Sequence, residues 1–165
     1  TPIARIIEAE QMILLSQTAA SLPRGRKNLN VHAELNAPVQ RLFNAMEPRT
    51  YVRPHRHTRQ NGWELMLRIS GAFAIILFDD DGKVTEHITL NGLGGLIAAE
   101  IPAHTWHSVV SLETGTVMFE VKEGPYCPVE DKDFASWAPL ENTPEAAQLA
   151  QWLINARPGK TWPAN

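Results

Sequence analysis

At 165 residues the chain is long enough to bury a core without covalent staples and short enough to read as one domain. Hydrophobic residues at 44% and charged residues at 20% suit a globular protein, and a formal net charge of −3 offers no basic footprint for nucleic acid. The longest apolar run, Gly92 to Ala99, is too short to cross a bilayer, so no membrane partner is expected.

In chain order, Ile7, Met12, Leu14, Leu15, Ala19 and Leu22 recur among polar residues and predict a helix over 6–22, stopped by Pro23-Arg24-Gly25. Strand-like segments follow: Asn28–His32, Gln40–Met46, Thr50–His57, Leu65–Ile69, Phe73–Phe78, Val84–Leu90, Leu96–Ile101, His107–Leu112 and Thr116–Lys122. Asp80-Asp81-Gly82 and Glu113-Thr114-Gly115 are turn signals between them. A last helix is marked by Thr143 as N-cap, Pro144 at the first position and Glu145 at the positive end of the dipole. Leu149, Trp152, Leu153 and Ala156 share one of its faces, and Arg157-Pro158-Gly159 ends it.

Closely spaced strands with helices only at the ends predict a mainly β fold, an antiparallel barrel or jelly roll. The expected division of the single domain, 1–165, is an N-terminal helical segment at 1–25, a barrel at 26–125 and a C-terminal helix within 140–158. Phe73–Phe78 is apolar on both faces, so one face fills the barrel and the other meets a second sheet, a terminal helix or another subunit. A homodimer is compatible with that pattern. The lone cysteine, Cys127, has no disulfide partner, and the start of the chain lacks a signal-peptide pattern, which together favour the cytoplasm.

The chemistry concentrates in three places. His55 and His57 stand two apart, so on a strand both imidazoles project from one face while Arg56 points away. Glu64 heads an apolar strand and adds a hard oxygen donor that offsets an ion's charge. His107 follows a turn, Ile101 to Trp106, that also carries His104. Each residue alone reads as readily as a structural or solvent-facing group; together they predict one metal site.

These residues resemble the two sequence blocks of cupins, His-x-His followed by Glu-x6-Gly and later Gly-x5-Pro-x-Gly-x2-His. Six residues separate Glu64 from Gly71, and Pro102 and His107 keep the spacing of the second block. The sequence departs in two ways: the gap from His57 to Glu64 carries an insertion at 58–63, and His104 stands where the motif has its turn glycine. A narrower resemblance, to the WbuC family of cupin-fold metalloproteins, runs through Pro38–Leu42, Thr50–His57, Ile101–Pro102, Thr105–His107, Phe119–Tyr126, Asp131–Ala135 and Trp137–Pro139. It implies a bacterial source, a link to surface-polysaccharide gene clusters and one divalent metal ion on His55, His57, Glu64 and His107.

Three imidazoles and a carboxylate suit Fe, Mn, Ni, Co or Zn. By strand parity Tyr51 and Arg53 share the face of His55 and His57, and with His104 and Glu120 they are candidate catalytic groups. Asn28, Asn30 and His32 form a polar row, and Glu120 and Lys122 another; each faces either solvent or the barrel lumen. The expected function is a metalloenzyme, an isomerase, epimerase or oxygenase, on a small polar ligand such as a sugar or sugar nucleotide. A non-catalytic metal-dependent binding module is the alternative, and a regulatory sensor is disfavoured because no basic or helix-turn-helix segment is attached.

Overall fold

The computed structural model describes residues 3–128 and 131–162. Helix α1 (Ala9–Ser21) begins at Glu8, where the Gln11 side chain accepts from the Glu8 N–H at 2.8 Å and closes a capping box. Strands β1 (Arg26–Asn30), β2 (Val39–Met46), β3 (His55–Arg56), β4 (Glu64–Ser70), β5 (Phe73–Phe78), β6 (Val84–Leu90), β7 (Ala98–Ile101), β8 (Trp106–Ser111), β9 (Thr116–Glu123) and β10 (Asp133–Phe134) follow. Helix α2 (Pro144–Ile154) comes last, with Thr143 Oγ1 accepting from Ala146 N–H at 3.2 Å.

The strands form two five-stranded antiparallel sheets, ordered β1-β2-β9-β4-β7 and β10-β3-β8-β5-β6. Between them lies a core drawn from both: Met46, Met66, Ile101 and Met118 from the first sheet meet Phe73, Ile75, Leu90 and Val109 from the second. The alternate residues of β5, Ala74, Ile76 and Phe78, face outward and are covered by Leu149, Ala150 and Leu153 of α2. A terminal helix of the same chain therefore takes the second apolar face of this strand. Helix α1 does the same for the first sheet, setting Met12, Leu15 and Ala19 on Ala45 and Val117. Among the described residues no helix is long and apolar enough to cross a membrane.

One expected strand is largely absent. Of residues 50–57 only His55–Arg56 pairs, because Pro54 has no N–H to give and Thr50 turns inward, its hydroxyl donating to the Gly25 carbonyl at 2.7 Å. The strand expected from Leu96 starts at Ala98, after the loop carrying Gly94 and Gly95. The two-residue β10, which pairs with β3, has too little sequence to show a period.

Candidate metal centre

Each imidazole is delivered by backbone pairing and then fixed by a carbonyl. His55 on β3 lies directly opposite His107 on β8, with ring centroids 4.4 Å apart. His55 Nδ1 donates to the Arg53 carbonyl at 2.8 Å and His107 Nδ1 to the Thr105 carbonyl at 2.9 Å. His57 Nδ1 donates to the Asp131 carbonyl. With every Nδ1 carrying a hydrogen, the neutral rings present Nε2 lone pairs, the arrangement seen wherever an outer partner orients a ligating histidine.

Glu64 comes from the opposite sheet. The insertion at 58–63 folds back in a turn, Gly62 N–H donating to Arg59 O at 3.0 Å. The Arg59 guanidinium pins it to the carbonyls of Gly124 and Pro125 at 2.7 and 2.8 Å. The longer gap is thus absorbed before β4 begins, and Glu64 Oε1 and Oε2 reach to 3.0 Å from His57 Nε2 and His107 Nε2. All four side chains are 5% exposed or less, so water does not screen them.

This geometry fits a metal ion. Lone pairs of imidazole and carboxylate cannot face each other at 3.0 Å in a dry site without a positive centre, a proton or a cation, between them. His57 Nε2 has no properly angled hydrogen-bond partner despite its close approach to Glu64. Among the described residues, His55, His57, Glu64 and His107 offer one ligand atom each, all within 4.8 Å of one another, and could hold one ion. Electrostatics follow the same logic. Burial, aided by neighbouring His107, holds His55 well below the usual imidazole range. Burial lowers His57 too, but the adjacent Glu64 carboxylate outweighs this and raises it. Burial works to raise Glu64, yet the close imidazoles of His107 and His57 hold its carboxyl well below the usual range.

The cluster opens into a cavity of about 410 Å³ whose lining includes His55, Glu64, His107, Glu120 and Lys122. Register explains the last two: Lys122 lies opposite Glu64, and Glu120 opposite Met66. Lys122 Nζ stands 3.7 Å from Glu64, 3.6 Å from Glu120 and 3.5 Å from Asp131. Burial lowers this ammonium, but the three carboxylates more than offset it and raise its pKa. Burial, with the charge of Glu64 added, pushes the Glu120 carboxyl up to about 7, and Asn44 Nδ2 donates to its Oε2 at 2.7 Å. Asn28, Asn30 and His32 line the same cavity, with His32 buried, Asn30 half-buried and Asn28 exposed.

Three residues expected at the site lie elsewhere. Tyr51 is outside the cavity lining; its hydroxyl donates to the Pro139 carbonyl at 2.8 Å, and burial pushes the phenol up to about 12. Arg53 donates to the carbonyls of Ala138 and Ala135, both at 3.2 Å. Strand parity fails for both because residues 50–54 are not strand. His104 is exposed on its turn and also outside the cavity lining, and its N–H donates to His57 O at 2.9 Å. Its φ of +63° is the left-handed conformation that the turn glycine of the cupin motif would adopt freely. Arg56 does turn away, stacking its guanidinium over Trp106 at 4.2 Å and bonding Asp133 at 2.7 Å. Asp131 and Asn44 were not anticipated; both act through neighbours on other segments that no local spacing reveals.

A family model described as a domain of unknown function, DUF6016, matches residues 7–90, half of the chain. The chain belongs to the DUF6016 family. The matched part carries His55, His57 and Glu64 and stops before His107. None of the curated proteins matches the chain. Among solved structures, a protein from Shewanella oneidensis aligns at 12% identity over 93% of this chain and 99% of its own, with a TM-score of 0.58. A recombinant oxalate oxidase in complex with glycolate aligns at 17% identity over 70% of this chain and 57% of its own, with a TM-score of 0.52. A cupin superfamily protein from Desulfitobacterium hafniense aligns at 16% identity over 59% and 76%, with a TM-score of 0.46. At such identities the first two likenesses establish shared fold alone.

Proposed function

We propose that the chain is a cupin jelly roll that binds one divalent metal ion on His55, His57, Glu64 and His107 and acts as a metalloenzyme on a small polar substrate. The observation that carries this reading is the set of three carbonyl-fixed imidazoles converging with a carboxylate at one edge of a large cavity. His55, His57, Glu64 and His107 would hold a divalent ion, which would supply Lewis-acid polarisation of a substrate oxygen.

The chain's own groups supply the rest. Glu120, its carboxyl pushed up to about 7 by burial and the charge of Glu64, is the group placed to give and take a proton at its carboxyl oxygens. Lys122 stays charged and holds Glu64 and Glu120 in place. Asn44 fixes the Glu120 rotamer. Met46, Met66, Val109 and Met118 give the cavity an apolar wall that limits water.

The substrate in this reading is a sugar or sugar nucleotide, following the WbuC-like blocks of the sequence; the glycolate held by one fold neighbour is an example of a small polyoxygenated ligand in such a fold. The test is a turnover screen of metal-loaded protein on sugars and sugar nucleotides, run beside Glu120→Gln. Turnover that Glu120→Gln lowers supports the enzyme; tight ligand binding without turnover assigns a binding module instead.

A further inference from the structure

The cavity carries charge of opposite sign at its two ends. At the metal end, Lys122 Nζ stands within 3.7 Å of Glu64, Glu120 and Asp131, so carboxylates outnumber the cation. At the rim the balance reverses. Arg24 and Arg26 both line the cavity, and both bond the same oxygen of Glu141, at 2.8 and 3.3 Å. Two guanidiniums therefore share one carboxylate. Lys132 lines the cavity as well and forms no ion pair among the described residues.

Backbone pairing explains where Lys132 stands. Asp133 lies opposite Arg56 and Phe134 opposite His55, which carries Lys132 toward His57, whose Nδ1 donates to the preceding carbonyl, that of Asp131. Asp133 turns away from the cavity to bond Arg56 at 2.7 Å, and Lys132, one residue earlier, turns the other way. Its charge acts on His55 at one side and on Glu141 at the other, so the ammonium sits between the metal cluster and the paired arginines. The surrounding protein, and then the charges of Lys122 and Arg26, lower its pKa and outweigh the pull of Glu64 and Glu120. The side chain is nonetheless exposed, open to whatever enters.

Three cations served by one carboxylate repel one another, and an anion bound among them relieves that repulsion. A sugar hydroxyl carries no charge with which to do so. The excess of carboxylates at the metal end keeps an acidic group away from Glu120, so the charge of a bound acid belongs at the rim.

We infer that Lys132, backed by Arg24 and Arg26, forms a subsite for an anionic group of the substrate, a carboxylate or a phosphate, while a neutral oxygen of the same molecule reaches the metal cluster. The subsite rests on the reading of this cavity as the substrate site, and it narrows the substrate from sugars in general to acidic ones.

The test is calorimetry on metal-loaded protein with neutral sugars, their uronates and their nucleotide-diphosphate esters: glucose, glucuronate and UDP-glucose, and the same three forms of galactose. At least one acid is expected to bind at least about tenfold more tightly than its neutral parent, with a preference that shrinks in salt. Uronate binding assigns a carboxylate, and binding of the ester alone assigns a phosphate. Lys132→Gln, made at an exposed position, weakens acid binding about three- to tenfold, Lys132→Arg less, and neither changes binding of the neutral sugar. Absence of binding by every acid, equal binding of the neutral parent, or wild-type affinity in Lys132→Gln overturns the subsite. Metal content of the same preparations separates the two claims. Full metal with no preference for acids removes the subsite alone, and Lys132-dependent acid binding by protein that takes up no metal removes the metal reading alone.

Discussion

Glu64 Oε2 lies 3.0 Å from His107 Nε2, and this contact joins the two sheets, since Glu64 belongs to β4 and His107 to β8. The Thr105 carbonyl occupies the other ring nitrogen, so Nε2 has nothing to share with the carboxylate but a proton or an ion. Glu64→Gln keeps the shape and removes the charge. We expect it to lower metal affinity by at least about tenfold while the fold persists, measured by competition against a chelator of known affinity. Unchanged affinity would remove Glu64 from the centre.

Gly71 heads the turn between β4 and β5 with φ +67°, and an added Cβ would lie 2.5 Å from Thr116 Oγ1 and 2.6 Å from Thr116 Cα. Thr116 cannot yield, because its hydroxyl bonds Ala72 and Glu113 at 2.7 to 3.1 Å. Gly71→Ala should cost roughly 2–4 kcal/mol in stability, from left-handed strain and overpacking together. Urea unfolding checks this; a loss below about 0.5 kcal/mol, the scale of a surface change, would mean the turn can rearrange.

Helix α2 sits on the outer face of the second sheet, away from the cavity. Leu149 is fully buried there, so Leu149→Ala should cost about 2–5 kcal/mol while metal content per folded protein stays at the wild-type level. Loss of metal in protein that remains folded would show that the helix supports the centre after all.

Glu141 bonds Arg24 and Arg26 at the rim. Burial tends to raise its carboxyl, but the Arg24 bond and the two guanidinium charges lower it below the usual range. A depressed folded-state pKa stabilises above the unfolded value and loses that contribution as pH falls through the folded one. Glu141→Gln should therefore lower the melting temperature slightly at neutral pH, with the difference vanishing in acid and shrinking in salt, because the Glu141 side chain is 36% exposed and that of Arg24 55%. A difference that grows as pH falls would contradict the assignment.

Much of this arrangement was legible in the sequence for specific reasons. An unbroken apolar run marked β5, and turn signals set the observed bounds of β5 and β6, since Phe73–Phe78 and Val84–Leu90 are bounded by Gly71-Ala72, the Asp79–Lys83 turn and Asn91-Gly92. The Thr143-Pro144 start of α2 carried its own capping chemistry. Tyr51 and Arg53 misled because parity has meaning only inside a strand, and Pro54 ends the pairing before it reaches them. That Asn28, Asn30 and His32 line the cavity was not legible, because polar residues look alike whether they meet bulk water or a polar cavity. Asp131 supplies only a backbone carbonyl to His57 and a carboxylate to Lys122, roles that leave no spacing signature.

The most direct test of the central claim is elemental analysis of gently purified protein beside the double variant His55→Ala, His57→Ala. The account predicts about one equivalent of a divalent transition metal in the native chain and none in the variant. A native chain that stays metal-free after supplementation, or a folded variant that keeps its full equivalent, would contradict it.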